Sequence, residues 1–506
     1  MFLGLDVGTS AVKAVLVSEE GVLRAQSSVP LTLQTPRAHW CEQDPAAWWA
    51  AVVAACRELA AAHPALWAAV KGIGLSGQMH GAVLLDRAGA VIRPAILWND
   101  SRAHAECEAM AEADPTLGET GGAPALPGLT APKLLWLKTH EPEAFGRIAH
   151  MLLPKDYIGL RLHGRHVTDH SDAAGTLLYD QAARAWSAPL CALAGAEAGG
   201  LPEIRESAGE AGRLTGGAAA ELGLAPGLPV TAGAGDTAVG AVGIGAVAAG
   251  DAVLSVGTSG QLFVPTADYR PAPGSVVHSF AHAVPGLWYQ MAAMLNGARP
   301  MAWFSETAGV GVGDLLAEAA EAREAPLFLP YLTGERTPHG DPHIRGGFFG
   351  IGTNTTRGQM MRGVVQGVAF SFADGAEALA AGGTRPRSFL AVGGGTRSDL
   401  LMQTISDLLE VEIARAAGAA AGPAFGAARL AAVMTGAASW GDLAVRPGIE
   451  RSFRPDASRK AFLSEKLAAF RQLYAALKGL RVPQAAATSS GGSLAPVMKA
   501  TASDIV

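Results

Sequence analysis

The 506-residue chain has few cysteines and little excess charge, and both absences narrow what it can be. Its four cysteines are Cys41, Cys56, Cys107 and Cys191. They show no short paired spacing, so we expect free thiols in a reducing cytoplasm and neither a zinc site nor a disulfide framework. The net charge is -6 and no long basic run occurs, which argues against a nucleic-acid-binding surface.

Long hydrophobic runs are also missing. The most apolar internal segment, residues 238–250, is too short and too rich in glycine to span a bilayer, and it predicts a closely packed helix. The N-terminal apolar run is interrupted by Asp6 and has no basic residues before it, so it predicts a core strand and not a signal peptide. A composition of 49% hydrophobic and 17% charged residues is that of a compact soluble protein.

A glycine-containing turn near the N-terminus carries the first chemical signal. Gly8, Thr9 and Ser10 separate two apolar segments, which predicts a β-hairpin. Glycine admits close approach of the backbone, and the two hydroxyl residues supply donors, so the turn suits phosphate. Asp6 ends the first strand and fits a hydrated Mg²⁺ beside that phosphate. Lys13 on the returning strand is a further candidate nucleotide-binding residue. Taken alone, the stretch also fits an ordinary hairpin with a solvated carboxylate.

A second copy of this pattern lies about half the chain further on. Residues 252–264 repeat strand, turn and strand, with Gly257, Thr258 and Ser259 in the turn and Ser255 where the first copy has Asp6. Because 506 residues exceed what one core usually supports, we expect two duplicated α/β domains, residues 1–241 and 242–483, that clamp a polyphosphate. Residues 484–506 have almost no periodicity and predict a disordered tail.

Polar side chains follow two predicted strands of the first half. Gln78 and His80 come after a strand predicted at residues 70–75, where an α/β sheet binds ligands. Trp98, Asn99 and Asp100 end the next strand and could contact a small polyol through a flat ring and polar groups. Two alternatives stay open: a His80 satisfied within its loop, and a structural ion pair of Asp100 with Arg102. Lys155 and Asp156 are read as structural.

Asp236 is the candidate general base. It follows a glycine-lined turn and stands at the start of an apolar helix, where the helix dipole and amide donors should keep its carboxylate ionised. Small neighbours leave room for a substrate hydroxyl. A simple N-capping role is the alternative, and one residue can serve both. Further on, Gly393, Gly394 and Gly395 join a predicted strand to a helix and leave the backbone bare for a base or ribose.

With these motifs the chain resembles the FGGY carbohydrate kinases from residue 1 to about 480. The specific segments are residues 77–81 (GQMHG), 96–100 (ILWND), 153–157 (LPKDY) and 332–338 (LTGERTP). The resemblance implies two ribonuclease-H-like domains of the actin and Hsp70 type with a cleft between them. It implies Asp236 as catalytic base, Asp6 as the Mg²⁺-associated carboxylate, Met79 and His80 as the sugar-binding pair, and the glycine turns as the ATP site.

One position departs from the family pattern. The family usually has Asn or Gln after the catalytic Asp, and here Thr237 follows, so its sugar contact is expected to be shorter or water-mediated. The resemblance implies ATP-dependent phosphorylation of D-xylulose to D-xylulose 5-phosphate, and it suggests a homodimer. The alternatives are a kinase of ribulose, gluconate or glycerol, and a non-metabolic ATPase module of the same superfamily. The polar strand-end loops argue against the ATPase module, because a nucleotide switch needs no sugar pocket.

Overall fold

The computed structural model describes residues 1–417 and 422–480. The tail predicted at residues 484–506 lies outside the described residues, as do residues 481–483 of the second predicted domain. We refer to residues 1–243 as the first half and to residues 244–480 as the second half. No helix in the described residues is long and apolar enough to cross a membrane.

The strands of the first half are β1 (Phe2–Val7), β2 (Ala11–Val17), β3 (Leu23–Pro30), β4 (Glu42–Gln43), β5 (Gly72–Gly77), β6 (Val83–Leu85), β7 (Ala95–Ile96), β8 (His150–Leu152), β9 (Val167–Asp169), β10 (Tyr179–Asp180), β11 (Ala185–Trp186), β12 (Glu203–Arg205), β13 (Glu210–Arg213), β14 (Pro229–Thr231) and β15 (Ala234–Gly235). Its helices are α1 (Pro45–Ala62), α2 (Pro64–Ala68), α3 (His104–Ala113), α4 (Leu117–Gly121), α5 (Thr130–His140), α6 (Pro142–Phe145), α7 (Pro154–His163), α8 (His170–Ala174), α9 (Ala188–Ala194), α10 (Gly216–Leu222) and α11 (Asp236–Gly243).

The strands of the second half are β16 (Val253–Val256), β17 (Gly260–Thr266), β18 (His278–Ala281), β19 (Trp288–Met294), β20 (Leu327–Leu329), β21 (Gly347–Phe349), β22 (Ser388–Val392), β23 (Glu412–Ala416) and β24 (Ile449–Phe453). Its helices are α12 (Arg299–Ala308), α13 (Val312–Glu321), α14 (Arg357–Ala381), α15 (Asp399–Leu409), α16 (Gly422–Met434) and α17 (Ala457–Leu477).

Two seven-stranded sheets have the same local plan. In the first, the order is β13-β14-β5-β1-β2-β3, with β15 also paired to β5; in the second it is β18-β19-β17-β16-β22-β23-β24. β1 is antiparallel to β2 and parallel to β5, and β16 is likewise antiparallel to β17 and parallel to β22. The predicted duplication therefore appears in the strand pairing, with a glycine turn in the central hairpin of each sheet.

Strand β1 shows why the first sheet is apolar on both faces. Leu3 and Leu5 belong to the cluster that includes the buried side chains of α1, whereas Phe2 packs with alanines of α16. Since successive side chains of a strand alternate between faces, Gly4 and Asp6 share the α16 side with Phe2. A sheet covered on both faces needs apolar residues on both, which explains why hydrophobic side chains occupy both faces of β1.

Helix α16 belongs to the second half but packs against the first sheet. It contacts β1, β5 and α11 extensively. A Cβ added at Gly74 would lie 1.8 Å from the carbonyl oxygen of Ala427, and one at Gly426 would lie 2.0 Å from that of Val239. These glycines allow backbones to approach closely. The packing holds α11, which begins at Asp236, against the elements that carry Asp6.

Helix ends in the structure match simple capping rules. Asp44 followed by Pro45 is a sequence typical of a helix start, and Asp44 does cap α1, because its carboxylate accepts from the amide of Ala46 at 2.9 Å. The alternative that sequence left open, a simple N-capping role for Asp236, is not what the structure shows. Gly235 occupies the N-cap, and Asp236 is the first residue within α11. The strand predicted at residues 70–75 is β5, which runs two residues further and ends at Gly77.

Candidate active site

Asp236 and Asp6 form the acidic centre of the site. The Asp236 carboxylate accepts from the backbone amide of Thr237 and from its hydroxyl at 3.3 Å, and Asp6 accepts from the Ser76 hydroxyl at 2.8 Å. Burial, followed by the nearby charge of Asp6, raises the pKa of Asp236 to about 7. Burial raises the pKa of Asp6 to about 6. Asp236 is therefore not held fully ionised as predicted, because lost hydration and a like charge outweigh the helix terminus.

The first glycine turn is braced by side chains from three other segments. The Thr9 hydroxyl donates to the Gln78 side-chain oxygen and accepts from the Trp98 indole, both at 2.9 Å. The Thr9 carbonyl oxygen accepts from Gln43 at 2.8 Å, and the Gly8 amide donates to the carbonyl oxygen of Ala11 at 3.1 Å. The Thr9 side chain is thus engaged within the protein.

Two predicted nucleotide contacts lie on the open side of this hairpin. Ser10 is exposed at the turn, and Lys13 is exposed on β2 directly opposite Asp6. The positive charge of Lys13 slightly favours ionisation of Asp6, but the effect of burial on the Asp6 pKa is larger. Both side chains are available to an anion held at the turn.

Gln78 lies with the turn and not on the sugar side. Its side chain is buried, and its amide contacts the Thr9 hydroxyl and the Gln43 side chain, the latter at 3.1 Å. Its polar atoms are thus bonded to the turn and to Gln43, and the sugar contact expected from sequence stays a prediction. These hydrogen bonds of Gln78 fix the position of the first turn relative to the end of β5.

Met79 and His80 continue from Gln78 toward the cleft between the two halves. Met79 packs against the turn before Asp236: a Cβ added at Gly235 would lie 2.8 Å from the Met79 Cγ. His80 adopts a left-handed backbone (φ 71°), and the Lys133 ammonium donates to its carbonyl oxygen at 3.0 Å. Lys133 thus stabilises a conformation that costs energy for a residue other than glycine.

The His80 ring is a neutral hydrogen-bond acceptor. Its Nδ1 lies 2.6 Å from the carbonyl oxygen of Gly175. Because a carbonyl only accepts, Nδ1 carries the hydrogen and Nε2 is left with a lone pair. Burial lowers the pKa of His80 to about 3, so the ring stays neutral. Such a nitrogen can accept a hydrogen bond from a sugar hydroxyl.

A cavity of about 640 Å³ opens beside His80 and has walls from both halves of the chain. We call it the cleft cavity. The first half contributes His80, Trp98, Asn99 and Asp100, and the second half contributes His278, Leu295, Glu335 and Arg336, among others. Trp98 thus joins the first glycine turn, through Thr9, to the cavity wall.

Asp100 reaches the cavity wall, but its carboxylate is held by other protein groups. Arg102 donates to it from two nitrogens, at 2.9 and 2.7 Å, and the Cys41 amide donates to it at 2.6 Å. Arg102 also pairs with Glu42 at 2.8 Å. The structural ion pair that sequence left open is therefore present. Asn99, by contrast, is exposed at the same wall.

The second glycine turn lies against the triple glycine. The Gly257 carbonyl oxygen accepts from the Ala298 amide at 2.7 Å, and that of Thr258 accepts from the Gly297 amide at 2.9 Å. A Cβ added at Gly393, where φ is 98°, would lie 2.6 Å from the carbonyl oxygen of Val256. A Cβ added at Gly395 would lie 2.4 Å from the side chain of Val256. Residues 257–259 and 393–395 therefore form one glycine-rich surface.

A buried lysine surrounded by three carboxylates lies behind the acidic centre. Lys155 Nζ is 2.5 Å from Asp156, 3.0 Å from Asp169 and 3.3 Å from Asp172. Burial alone would lower the pKa of Lys155, but the three carboxylates together raise it above its ordinary value. Lys155 and Asp156 are structural, as expected from sequence.

This cluster extends to the start of α11. The Gly235 amide donates to the Ser171 hydroxyl at 3.1 Å, which donates to Asp169 at 2.6 Å. Sequence reasoning gave no role to Ser171 or Asp169, although the polar run at residues 168–172 marked the segment. It also gave none to His278 and Arg336, which only the folded cleft brings beside His80.

Comparisons with known proteins agree with this architecture. Two family models match: the FGGY family of carbohydrate kinases, N-terminal domain, over residues 1–243, and its C-terminal domain over residues 252–435. The xylulose kinase of Escherichia coli (strain K12) is 41% identical over 479 residues, covering 94% of this chain and 98% of that protein.

Solved structures give the same result. The chain matches the crystal structure of a xyloylose kinase from Brucella ovis with a TM-score of 0.90 and 42% identity, over 95% of this chain and 99% of that one. It matches the crystal structure of the xylulose kinase from Rhodospirillum rubrum with a TM-score of 0.87 and 32% identity, over 94% of this chain and 99% of that one. The expected fold, two ribonuclease-H-like α/β domains of the actin and Hsp70 type, is confirmed. The chain therefore belongs to the FGGY family of carbohydrate kinases, and it is a sugar kinase that uses ATP as its phosphoryl donor.

Proposed function

We propose that this chain phosphorylates D-xylulose to D-xylulose 5-phosphate with ATP. The observation that carries the proposal is the row of neighbouring residues that runs from Asp236, through Gly235 and the Met79 packed against it, to the neutral His80 at the cleft cavity. This row has a base at one end and, in the His80 ring, an acceptor for a sugar hydroxyl at the other. The xylulose kinases that match nearly the whole chain support the choice of sugar.

In the proposed reaction, Asp236 removes the proton of the sugar 5-hydroxyl while that oxygen attacks the γ-phosphorus. The new oxygen–phosphorus bond forms as the bond to the ADP oxygen breaks, and the proton ends on the Asp236 carboxylate. A base with a pKa near the working pH suits this step, and general-base help of this kind is worth about 10²- to 10⁴-fold. Exclusion of water from the cleft would limit transfer to water.

The glycine surfaces are proposed to hold the nucleotide. Backbone amides of residues 9–10 and 258–259 would face the phosphates, with the side chains of Ser10 and Lys13 as further donors. The amides of Gly8 and Gly257 close their own turns, and these two glycines would instead let the phosphates approach the backbone closely. Residues 393–395 would lie along the adenosine, since they leave no side chain in its path. Thr237, which contacts the Asp236 carboxylate, is proposed to reach the sugar through a water molecule.

The residues around Asp6 fit a Mg²⁺ ion. Burial raises the pKa values of both Asp6 and Asp236, and a nearby cation would favour the ionised form of each. In the described residues no group of three or more His, Cys, Asp or Glu side chains could hold a metal by itself. Mg²⁺ commonly binds through one or two carboxylates and the substrate phosphates, so Asp6 is the proposed protein ligand. The ion would neutralise phosphate charge.

Three further properties are proposed at the level of the whole chain. The two domains are residues 1–241 and 242–483, a division supported by family models that end at 243 and begin at 252. The enzyme is proposed to be cytoplasmic, which its four free cysteines support. A homodimer is proposed from family likeness alone, and the molar mass in solution tests it.

A coupled assay of ADP release tests the function. With D-xylulose, D-ribulose, gluconate and glycerol offered in turn, we expect the highest kcat/KM with D-xylulose. Asp236→Asn should keep ATP binding, measured by calorimetry, and lose turnover by about 10²- to 10⁴-fold. A higher kcat/KM for another sugar would replace the substrate, and ATP hydrolysis independent of sugar would favour the ATPase module. An unchanged kcat in Asp236→Asn would remove Asp236 from its role.

A further inference from the structure

The second half of the chain places a fully buried histidine with no partner on the wall of the cleft cavity. His278 is 1% exposed, and neither of its ring nitrogens has a hydrogen-bond partner among the described residues. More than nine in ten buried polar groups are hydrogen-bonded, so such a ring points to a ligand. Its ring stacks on Phe280, with centroids 5.3 Å apart and planes 5° from parallel, and is thereby held in one orientation.

His278 is a neutral ring with one donor and one acceptor. Burial, with smaller effects from Arg336 and His80, holds the pKa of His278 well below its ordinary value. The side chains of His278, Arg336 and His80 all line the cleft cavity. A neutral imidazole in this wall therefore has one N–H that can donate and one lone pair that can accept, and neither is used by the described residues.

Arg336 presents a second unused group to the same cavity. Its guanidinium forms no hydrogen bond or ion pair with any residue that the structure describes, and it lies 5.9 Å from the centre of the Trp98 ring. The adjacent Glu335 does not pair with it. The Glu335 carboxylate instead accepts from the backbone amides of Leu295 and Arg336, at 2.6 and 2.8 Å. Glu335 thus holds the backbone at Leu295 and Arg336, and the N–H groups of the Arg336 guanidinium remain without a hydrogen-bond partner among the described residues.

His278 and Arg336 lie beside His80, at the far end of the row of residues that begins at Asp236. The row runs from Asp236 and Gly235 to Met79 and then to His80. The His80 ring meets Phe280 edge-on, with centroids 6.5 Å apart, and the His278 ring stacks on the same Phe280. A pentulose whose 5-hydroxyl is at Asp236 would therefore extend its C1–C2 end toward His278 and Arg336.

We propose that Arg336 and His278 bind the C2 carbonyl oxygen of the ketose and make the enzyme selective for a ketose over the corresponding polyol. The inference rests on the proposed function. A carbonyl oxygen only accepts hydrogen bonds and can take two donors, and a guanidinium only donates. A hydroxyl at the same place must also find an acceptor for its own hydrogen, and a buried polar group left unpaired is costly.

The test compares D-xylulose with xylitol, which has the same skeleton with the carbonyl reduced. Arg336→Met should lower kcat/KM for D-xylulose by about 10- to 150-fold, the loss typical of a hydrogen bond to a charged group. It should change kcat/KM for xylitol by less than about threefold, because the polyol gains little from the guanidinium. His278→Phe, which keeps a flat ring on Phe280, should also lower the ratio of kcat/KM for D-xylulose to kcat/KM for xylitol.

Arg345→Met is the matched control. Arg345 lines the same cavity, but its guanidinium already donates to the carbonyl oxygens of Pro342 and Ile344, both at 2.8 Å. Its loss should leave the xylulose-to-xylitol ratio unchanged. Equal ATP affinity and thermal stability in each variant show that the fold is intact. If Arg336→Met is unstable, Arg336→Lys keeps the charge without the planar fork and should lower the ratio by a smaller factor.

The outcomes separate the inference from the proposed function. If the wild-type chain phosphorylates no ketose, or xylitol as well as D-xylulose, the proposed ketose specificity itself is wrong. If the wild-type chain prefers D-xylulose and folded Arg336 and His278 variants keep that preference, only the inference is overturned. A similar loss in Arg345→Met would show that general positive charge in the cavity, and not these two contacts, sets the preference.

Discussion

Replacing Asp236 by Asn should stabilise the folded chain while it removes turnover. The carboxyl lies near Asp6 and is largely but not fully removed from water, and its pKa is raised from the ordinary 3.8 to about 7. A carboxyl that holds its proton more tightly when folded makes the folded state less stable as pH rises. The amide of Asn can still accept from the Thr237 amide, so the substitution removes charge with little change of shape.

The size of the effect follows from the pKa. A shift of about 3 units at roughly 1.4 kcal/mol per unit gives a ceiling of about 4 kcal/mol. Asp236 is partly exposed to the cleft, so solvent screens part of this, and we expect a gain of about 1–3 kcal/mol at pH 8. The destabilisation that Asp236 causes is small below about pH 4, where its carboxyl is protonated in both the folded and the unfolded chain. It grows as pH rises and reaches its full size above about pH 7.

Urea unfolding followed by tryptophan fluorescence measures this difference without Mg²⁺ or nucleotide, since a bound cation would relieve the charge. The Asp236→Asn midpoint should exceed that of the wild type at pH 8, and the gap should narrow at pH 5 and nearly close at pH 4. Asp268→Asn is the control, because Asp268 is exposed and Arg270 lowers its pKa, so no gain is expected. Equal stability at pH 8, or a gain independent of pH, would refute the reasoning.

The remaining predictions concern pH, packing and the buried cluster. Because Asp236 must be ionised to accept a proton, kcat/KM should fall as pH drops through about 7. Asp6→Asn should slow the reaction and move this fall in kcat/KM to lower pH, because the charge of Asp6 helps to raise the Asp236 pKa. pH–rate profiles of the wild type and the variant check both expectations. Gly74→Ala should lower the free energy of unfolding by about 1–3 kcal/mol or more, because its Cβ meets the backbone of α16, and Gly216→Ala, with open space around it, should not. Lys155→Met should cost about 3–5 kcal/mol in the same urea assay, since it leaves three buried carboxylates without a counter-charge.

Local patterns in the sequence were enough to predict the two glycine hairpins, helix α1 with its Asp44 cap, and the strand before the triple glycine. Each depends on neighbours within one turn or one strand, where periodicity and capping chemistry act directly. The position of α16 could not be predicted. It follows β23 in the chain but packs on β1 and β5 of the other half, and nothing local to it specifies that partner.

The site shows the same division between local and distant information. The polar residues after β5 were recognised, but their separate tasks were not: Gln78 braces the first turn, and His80 faces the cavity. Arg336 was noticed only as part of a motif, because its lack of a partner appears once Glu335 is seen to accept from backbone amides. The protonation of Asp236 was misjudged since the sequence shows the helix terminus but not the depth of burial.

Burial of Asp236 accounts for both its cost to stability and its strength as a base. A solvated carboxyl with a pKa near 4 is ionised at neutral pH but accepts a proton weakly, whereas one with a pKa near 7 is half ionised and accepts it more readily. Raising the pKa by about 3 units strengthens the base by roughly ten- to thirtyfold for an intermediate Brønsted dependence, against a twofold loss of ionised form. The net gain favours catalysis although folding is penalised. A solvent-exposed carboxyl at the same place would remove the penalty and the advantage together.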